Sequence, residues 1–136
     1  MLKTKNEILN DINTAIMASA IPASISGEVY KQIRPTDSEV EDCIFNLIQG
    51  ISGKFLQSNA LFVKIFYKDI NDNNTFRENT KRGSEIERLL MDFSETLLNL
   101  KGYSFDVESR EFQIEAVDET KEHFCILKIN LRNTTK

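Results

Sequence analysis

The spacing of apolar residues changes several times along the chain, and each change marks an element. Over residues 3–18, Ile8, Leu9, Ile12, Ala15 and Ile16 recur three and four apart, with Asn6, Asn10 and Asn13 on the other side. This is the stripe of an amphipathic helix, whose continuation Pro22 ends. From Gly27 to Ile33 the period falls to two, as Val29, Lys31 and Ile33 alternate with Glu28, Tyr30 and Gln32. That predicts a short strand, broken at Arg34-Pro35. The polar run from Thr36 to Asp42 reads as an exposed loop. Cys43–Gln49 and Asn59–Lys68 read as the arms of a hairpin, with Gly50-Ile51-Ser52-Gly53 as its turn. The second arm is apolar on both faces, with Leu61, Val63, Ile65 and Tyr67 on one and Phe62 and Phe66 around Lys64 on the other. Such a strand is covered on both sides, by its own chain or by a neighbouring subunit.

Asp69–Thr80 (DINDNNTFRENT) is the most polar, turn-rich stretch and reads as a long loop. A helix over residues 83–100 follows, with Ile86, Leu89, Leu90, Phe93, Leu97 and Leu100 at the helical period. Asn79 or Ser84 is its expected N-cap and Gly102 its expected C-cap. The chain then alternates apolar and polar residues over Tyr103–Glu108, Phe112–Ala116 and His123–Leu131, with a turn at Asp118-Glu119-Thr120. The resulting order is α-β-β-β-α-β-β-β. The expected fold class is α/β in the broad sense, more narrowly α+β: a mostly antiparallel sheet with two amphipathic helices packed on it. At 136 residues the chain is expected to form a single domain, residues 1–136.

Charge narrows the partners. A net charge of -4 argues against a nucleic-acid surface, which needs a basic face. Two cysteines provide neither a disulfide framework nor a four-ligand zinc set. No signal-peptide core and no membrane-length apolar run is evident, so no membrane partner is expected and the chain reads as cytoplasmic.

The residues that could carry chemistry each lack a neighbour that the chemistry needs. His123 has no G-x-S-x-G elbow to serve and reads as structural. Cys43 and Cys125 fall among apolar strand residues and read as buried thiols, with Asp42 opposing any thiolate at Cys43. Gly50-Ile-Ser-Gly53-Lys54 departs from phosphate-loop spacing, and Phe55 stands where a magnesium-binding hydroxyl would. Asp69, Asn71 and Asn73 match the first calcium-loop ligand positions, but Asn74 replaces the glycine and Thr80 the bidentate acid. A solvated loop for partner contact, comprising Asp69, Asn71, Asp72, Asn73, Asn74 and Arg77, is the better reading. The acidic C-terminal residues are most simply a solvated strand face. No catalytic residue, metal or cofactor is expected, and the chain reads as a protein that binds and assembles.

The stretch Ser26-Gly27-Glu28-Val29-Tyr30-Lys31-Gln32-Ile33-Arg34-Pro35, followed by Ser38 and by Glu41-Asp42 opening a strand, resembles the tail-completion proteins of tailed phages and prophages, of the tail-terminator type. Gly53 and Gln57 in the hairpin, the strand ending at Asp69, the polar loop before an amphipathic helix and Glu122-His123 entering the last strand extend the resemblance over about residues 5–132. It implies a non-enzymatic protein that forms a homo-oligomeric ring, usually a hexamer, on the end of the tail tube. The ring stops tube polymerisation and offers a face for head joining. The implied partners are copies of itself, the tail tube protein and a head-side connector, with DNA only passing through the lumen. The implied location is the bacterial host cytoplasm during assembly and then the virion tail. Under that reading Arg34, Asp37, Glu41 and Asp42 are candidates for charge pairs at the subunit interface, and Glu108, Glu111 and Glu115 for an acidic lumen wall. Another neck, connector or contractile-injection component is the nearest alternative; a small-ligand-binding or hydrolytic domain is a more distant one.

Overall fold

The helices begin where a polar side chain can take the first free amides. In a computed structural model of the chain, which describes residues 3–52 and 56–134, α1 (Lys5–Met17) opens on a capping box. Thr4 Oγ1 accepts from the Glu7 amide at 3.1 Å, and Glu7 Oε1 accepts from the Thr4 amide at 2.9 Å. A short α2 (Ile21–Ser24) follows, with Pro22 in its first turn. Pro22 therefore takes part in a helical start as well as a stop, since the amide it lacks is unpaired there in any case.

Strands β1 (Val29–Lys31), β2 (Cys43–Ser52) and β3 (Leu56–Lys68) come next. The first is shorter than the expected Gly27–Ile33, because Gln32 turns out of the strand at a φ of 70°. The hairpin arms are longer than expected. Gly50 lies inside β2, opposite Ser58, and Gly53 of the expected turn falls in 53–55, outside the described residues.

The expected 69–80 loop is instead a two-stranded ribbon, β4 (Ile70–Asp72) and β5 (Thr75–Arg77). Its loop is Asn73-Asn74, at φ 53° and 67°, between the paired residues Asp72 and Thr75. Two successive positive φ values make the type I′ geometry that matches strand twist, and asparagine tolerates it. Helix α3 (Thr80–Leu97) starts earlier than residue 83, with Asn79 as its N-cap and Leu98 as its C-cap. Gly102 is not a cap; its φ of 90° serves the turn into β6 (Tyr103–Ser104). A 3-10 turn at Val107–Ser109 replaces the rest of the expected 103–108 strand, and β7 (Glu111–Val117) and β8 (Glu122–Thr134) finish the chain.

The fold is α+β, a mixed and mostly antiparallel six-stranded sheet with two main helices packed on it. The strand order is β1-β2-β3-β8-β6, and β7 shares with β6 the far side of β8. The pairing of β1 with β2 is parallel and the others are antiparallel. Register lines up Cys43, Ile65 and Cys125 on one face, then Phe45, Val63 and Leu127, then Leu47, Leu61 and Ile129. Ile8, Leu9, Ile12 and Ile16 of α1 and Ile86, Leu90, Phe93 and Leu97 of α3 close over these rows as one core. At roughly 1.5–3 kcal/mol per fully buried large apolar side chain, this layer is the main source of stability.

Candidate functional site

The opposite face of the sheet has no helix on it among the described residues. It carries Ile44, Ile48, Phe62, Lys64, Phe66, Phe124, Ile126 and Lys128, which alternate with the core rows. Ile44, Phe66 and Ile126 are buried, yet they lie outside the core cluster. Long cationic side chains cover them. The Arg34 guanidinium lies 4.0 Å from the Phe66 ring centroid, and Lys64 Nζ lies 5.0 Å from that of Phe124. Ile48 remains 67% exposed, and Gln32, Ile44, Asn46, Phe62, Lys64 and Ile126 border a cavity of about 290 Å³.

At one end of this face lies a buried charge network. Arg34 donates from Nε to Asp42 Oδ2 (2.9 Å), from Nη1 and Nη2 to the two oxygens of Glu122 (3.0 and 2.8 Å), and from Nη2 to the Val40 carbonyl (2.8 Å). Asp42 is fully buried and Glu122 is 2% exposed. Ser38 also donates to Asp42, Thr120 donates to Glu122 at 2.7 Å, and the Glu28 amide donates to Asp42 Oδ1 at 3.3 Å. Burial alone would raise both carboxyls. The hydrogen bonds and charge of Arg34, with help from Ser38 and Thr120, outweigh it and hold both below their ordinary values. Hydrogen bonds from Arg34 to Glu122, ahead of those to Asp42, hold the guanidinium charged against its own burial. Glu41 turns the other way, toward α3, and takes a two-pronged contact from Arg82 at 2.7 Å per bond.

These pairs account for most of the charges expected at a subunit interface. Arg34, Glu41 and Asp42 are engaged within the chain; Asp37 is exposed, at a φ of 63° in the loop before β2. Sequence reasoning missed Glu122 and Arg82 as their partners. The available signal was a pair of adjacent acids at the start of an apolar strand, which requires two cations nearby.

A second polar group sits where the β4–β5 ribbon leaves the sheet. His123 Nδ1 is 2.5 Å from Asp69 Oδ1, His123 Nε2 is 3.6 Å from Glu78 Oε1, and the Tyr67 hydroxyl donates to Glu78 Oε2 at 3.1 Å. Asp69 precedes β4 and Glu78 follows β5, so one imidazole lies between the two feet of the ribbon. Its ring also stacks on Tyr67, with centroids 6.0 Å apart. Both ring nitrogens face carboxylates, which leaves neither aimed at a nucleophile.

The calcium-like residues serve the same ribbon. Asp69 faces His123, Asn71 Oδ1 accepts from the Asn74 amide at 2.9 Å, and Thr80 opens α3. Asn71, Asp72, Asn73, Asn74 and Arg77 are all exposed. Among the described residues no group of three or more His, Cys, Asp or Glu is arranged to hold a metal ion.

The two thiols are fully buried, and burial pushes both up to about 12, with Asp42 adding to the effect at Cys43 and Glu87 at Cys125. Glu108, Glu111 and Glu115 are exposed in and beside β7, and Glu111 and Glu115 point to the helix-free face. Among the described residues no helix is long and apolar enough to cross a membrane. No protein-family model matches the chain, and no curated protein matches it significantly.

Proposed function

We propose that this chain is a non-enzymatic structural protein of the tail-terminator type, which caps the tail tube of a tailed phage or prophage as a ring of copies. In that role it stops tube polymerisation and provides the head-joining face. The observation that carries the proposal is the helix-free face of the sheet, with Ile48 67% exposed and Phe62 and Phe124 half-buried. A lone small sheet leaves such a face and its strand edges open, and a closed ring of identical copies covers them.

The likeness of residues 26–42 to tail-completion proteins supplies the setting: copies of the chain as neighbours, the tube protein on one side, a head-side connector on the other and DNA in the lumen. Assembly then takes place in the host cytoplasm, and the ring stays in the virion tail. Glu108 suits a lumen wall, where negative charge repels passing phosphate. Glu111 and Glu115, also expected there, sit on a free strand edge taken up below. Native mass spectrometry of the full chain is the test. A six-fold assembly supports the proposal, and a monomer at every concentration up to the millimolar range counts against it.

A further inference from the structure

Two β features of this chain present an edge with no partner among the described residues, and the strands at those edges carry opposite charges, Arg77 on β5 and Glu111 and Glu115 on β7. The first is the β4–β5 ribbon, whose strands pair, among the described residues, only with each other. Residues 71–77 are all exposed, and Phe76 is 41% exposed with Lys121 Nζ 5.6 Å from its ring. An isolated two-stranded hairpin is marginal in water. This one is shaped by the Asn73-Asn74 turn and tied at its base by the contact of His123 Nδ1 with Asp69. The second feature is β7, which pairs with β8 on one side and with nothing described on the other. It has no proline, lysine or arginine to guard that edge, and Ile114 is 37% exposed.

The charges of the two strands match. Among the described residues Arg77 on β5 makes no ion pair, and neither do Glu111 and Glu115 on β7, although Glu111 lies across from Lys128 in register. Antiparallel alignment of β5 with β7 and Phe76 opposite Phe112 sets Arg77 opposite Glu111. A shift that sets Phe76 opposite Ala116 brings Arg77 opposite Glu115. In both registers the apolar and the charged side chains fall on matching faces.

We propose that the β4–β5 ribbon of one copy adds to the β7 edge of a second copy, through the outer edge of β5. The two surfaces differ, so the contact runs head to tail and leaves each copy with a free ribbon or a free edge until the assembly closes. The inference rests on the ring reading for that closure alone.

The test is a charge exchange, read by light scattering after size exclusion and by native mass spectrometry. Arg77→Glu alone, and Glu111→Arg with Glu115→Arg, should each raise the concentration at which the assembly dissociates by about tenfold or more, since like charges then face each other. All three changes together should restore assembly. The replaced side chains are exposed, so circular dichroism should stay as in the parent protein, and the unfolding midpoint should fall only by the small cost of the like-charge pair that Glu111→Arg makes with Lys128. Failure of the triple variant to recover, or a parent that stays monomeric throughout, overturns the contact. A hexamer indifferent to Arg77→Glu also overturns the contact while leaving the ring in place. An assembly of other size or open form, broken by Arg77→Glu and restored by the triple variant, keeps the contact and removes the ring.

Discussion

Replacing Arg34 with alanine should be among the most damaging single changes in this protein. The guanidinium is the shared cation of Asp42, fully buried, and Glu122, 2% exposed, and its own side chain is 15% exposed. Its removal strands two carboxylates in a place water reaches poorly and also uncovers the Phe66 ring. Breaking a buried pair by deleting one partner costs about 3–5 kcal/mol, out of a total stability of about 5–15 kcal/mol for an ordinary domain. Urea unfolding read by circular dichroism is the assay, with the midpoint falling and the slope unchanged. Neutralising the whole group, as Arg34→Met with Asp42→Asn and Glu122→Gln, should recover much of the loss, because no buried charge is then left unpaired.

The pH dependence supplies a second signature of the same network. In the parent both carboxyls titrate below their ordinary values, so their contribution is complete above about pH 5 and is lost as pH falls through the ordinary and then the lowered values. In Arg34→Ala burial is opposed only by the weaker help of Ser38 and the Glu28 amide at Asp42 and of Thr120 and Lys68 at Glu122, so both carboxyls rise and the gap between variant and parent should narrow on acidification. A cost under about 1 kcal/mol, the level of an exposed ion pair, or a gap independent of pH would refute the reasoning.

Other consequences follow from particular contacts. A Cβ at position 27 would meet the Glu41 carbonyl oxygen at 2.5 Å and also strike Asp42 Oδ1, so Gly27→Ala should lower stability by roughly 1–3 kcal/mol in thermal unfolding. His123→Phe removes the imidazole contact with Asp69 at the base of the ribbon, so amide exchange should accelerate at residues 70–77 and stay slow in the middle of β3. Asn74→Gly keeps the positive φ with a residue better suited to it, so exchange there should slow instead. Cys43 and Cys125, pushed up to about 12 and buried, should react with a thiol reagent at pH 8 only as fast as the protein unfolds.

Much of the architecture was legible in the sequence because burial imposes a period. The stripe from Ile8 to Ile16 and that from Ile86 to Leu97 mark the two helices, and the alternation from Leu61 to Tyr67 marks the central strand. The ribbon was not legible. Ile70-Asn71-Asp72 and Thr75-Phe76-Arg77 bury no face and so leave no apolar alternation, and their strand character comes from the turn that Asn73-Asn74 permits. Gly50 reads as a turn residue but lies in β2, where Ser58 pairs with it. The charge network was out of reach for a different reason. Arg34 and Glu122 are 88 positions apart, and their meeting depends on β8 lying beside β3, which local pattern does not encode.

If the chain caps a phage tail, as proposed, the direct test is genetic. Deleting its gene and measuring tail tubes by electron microscopy should show heads and tubes unjoined, with tubes of uncontrolled length. Tails of normal length in the deletion would contradict a terminator role.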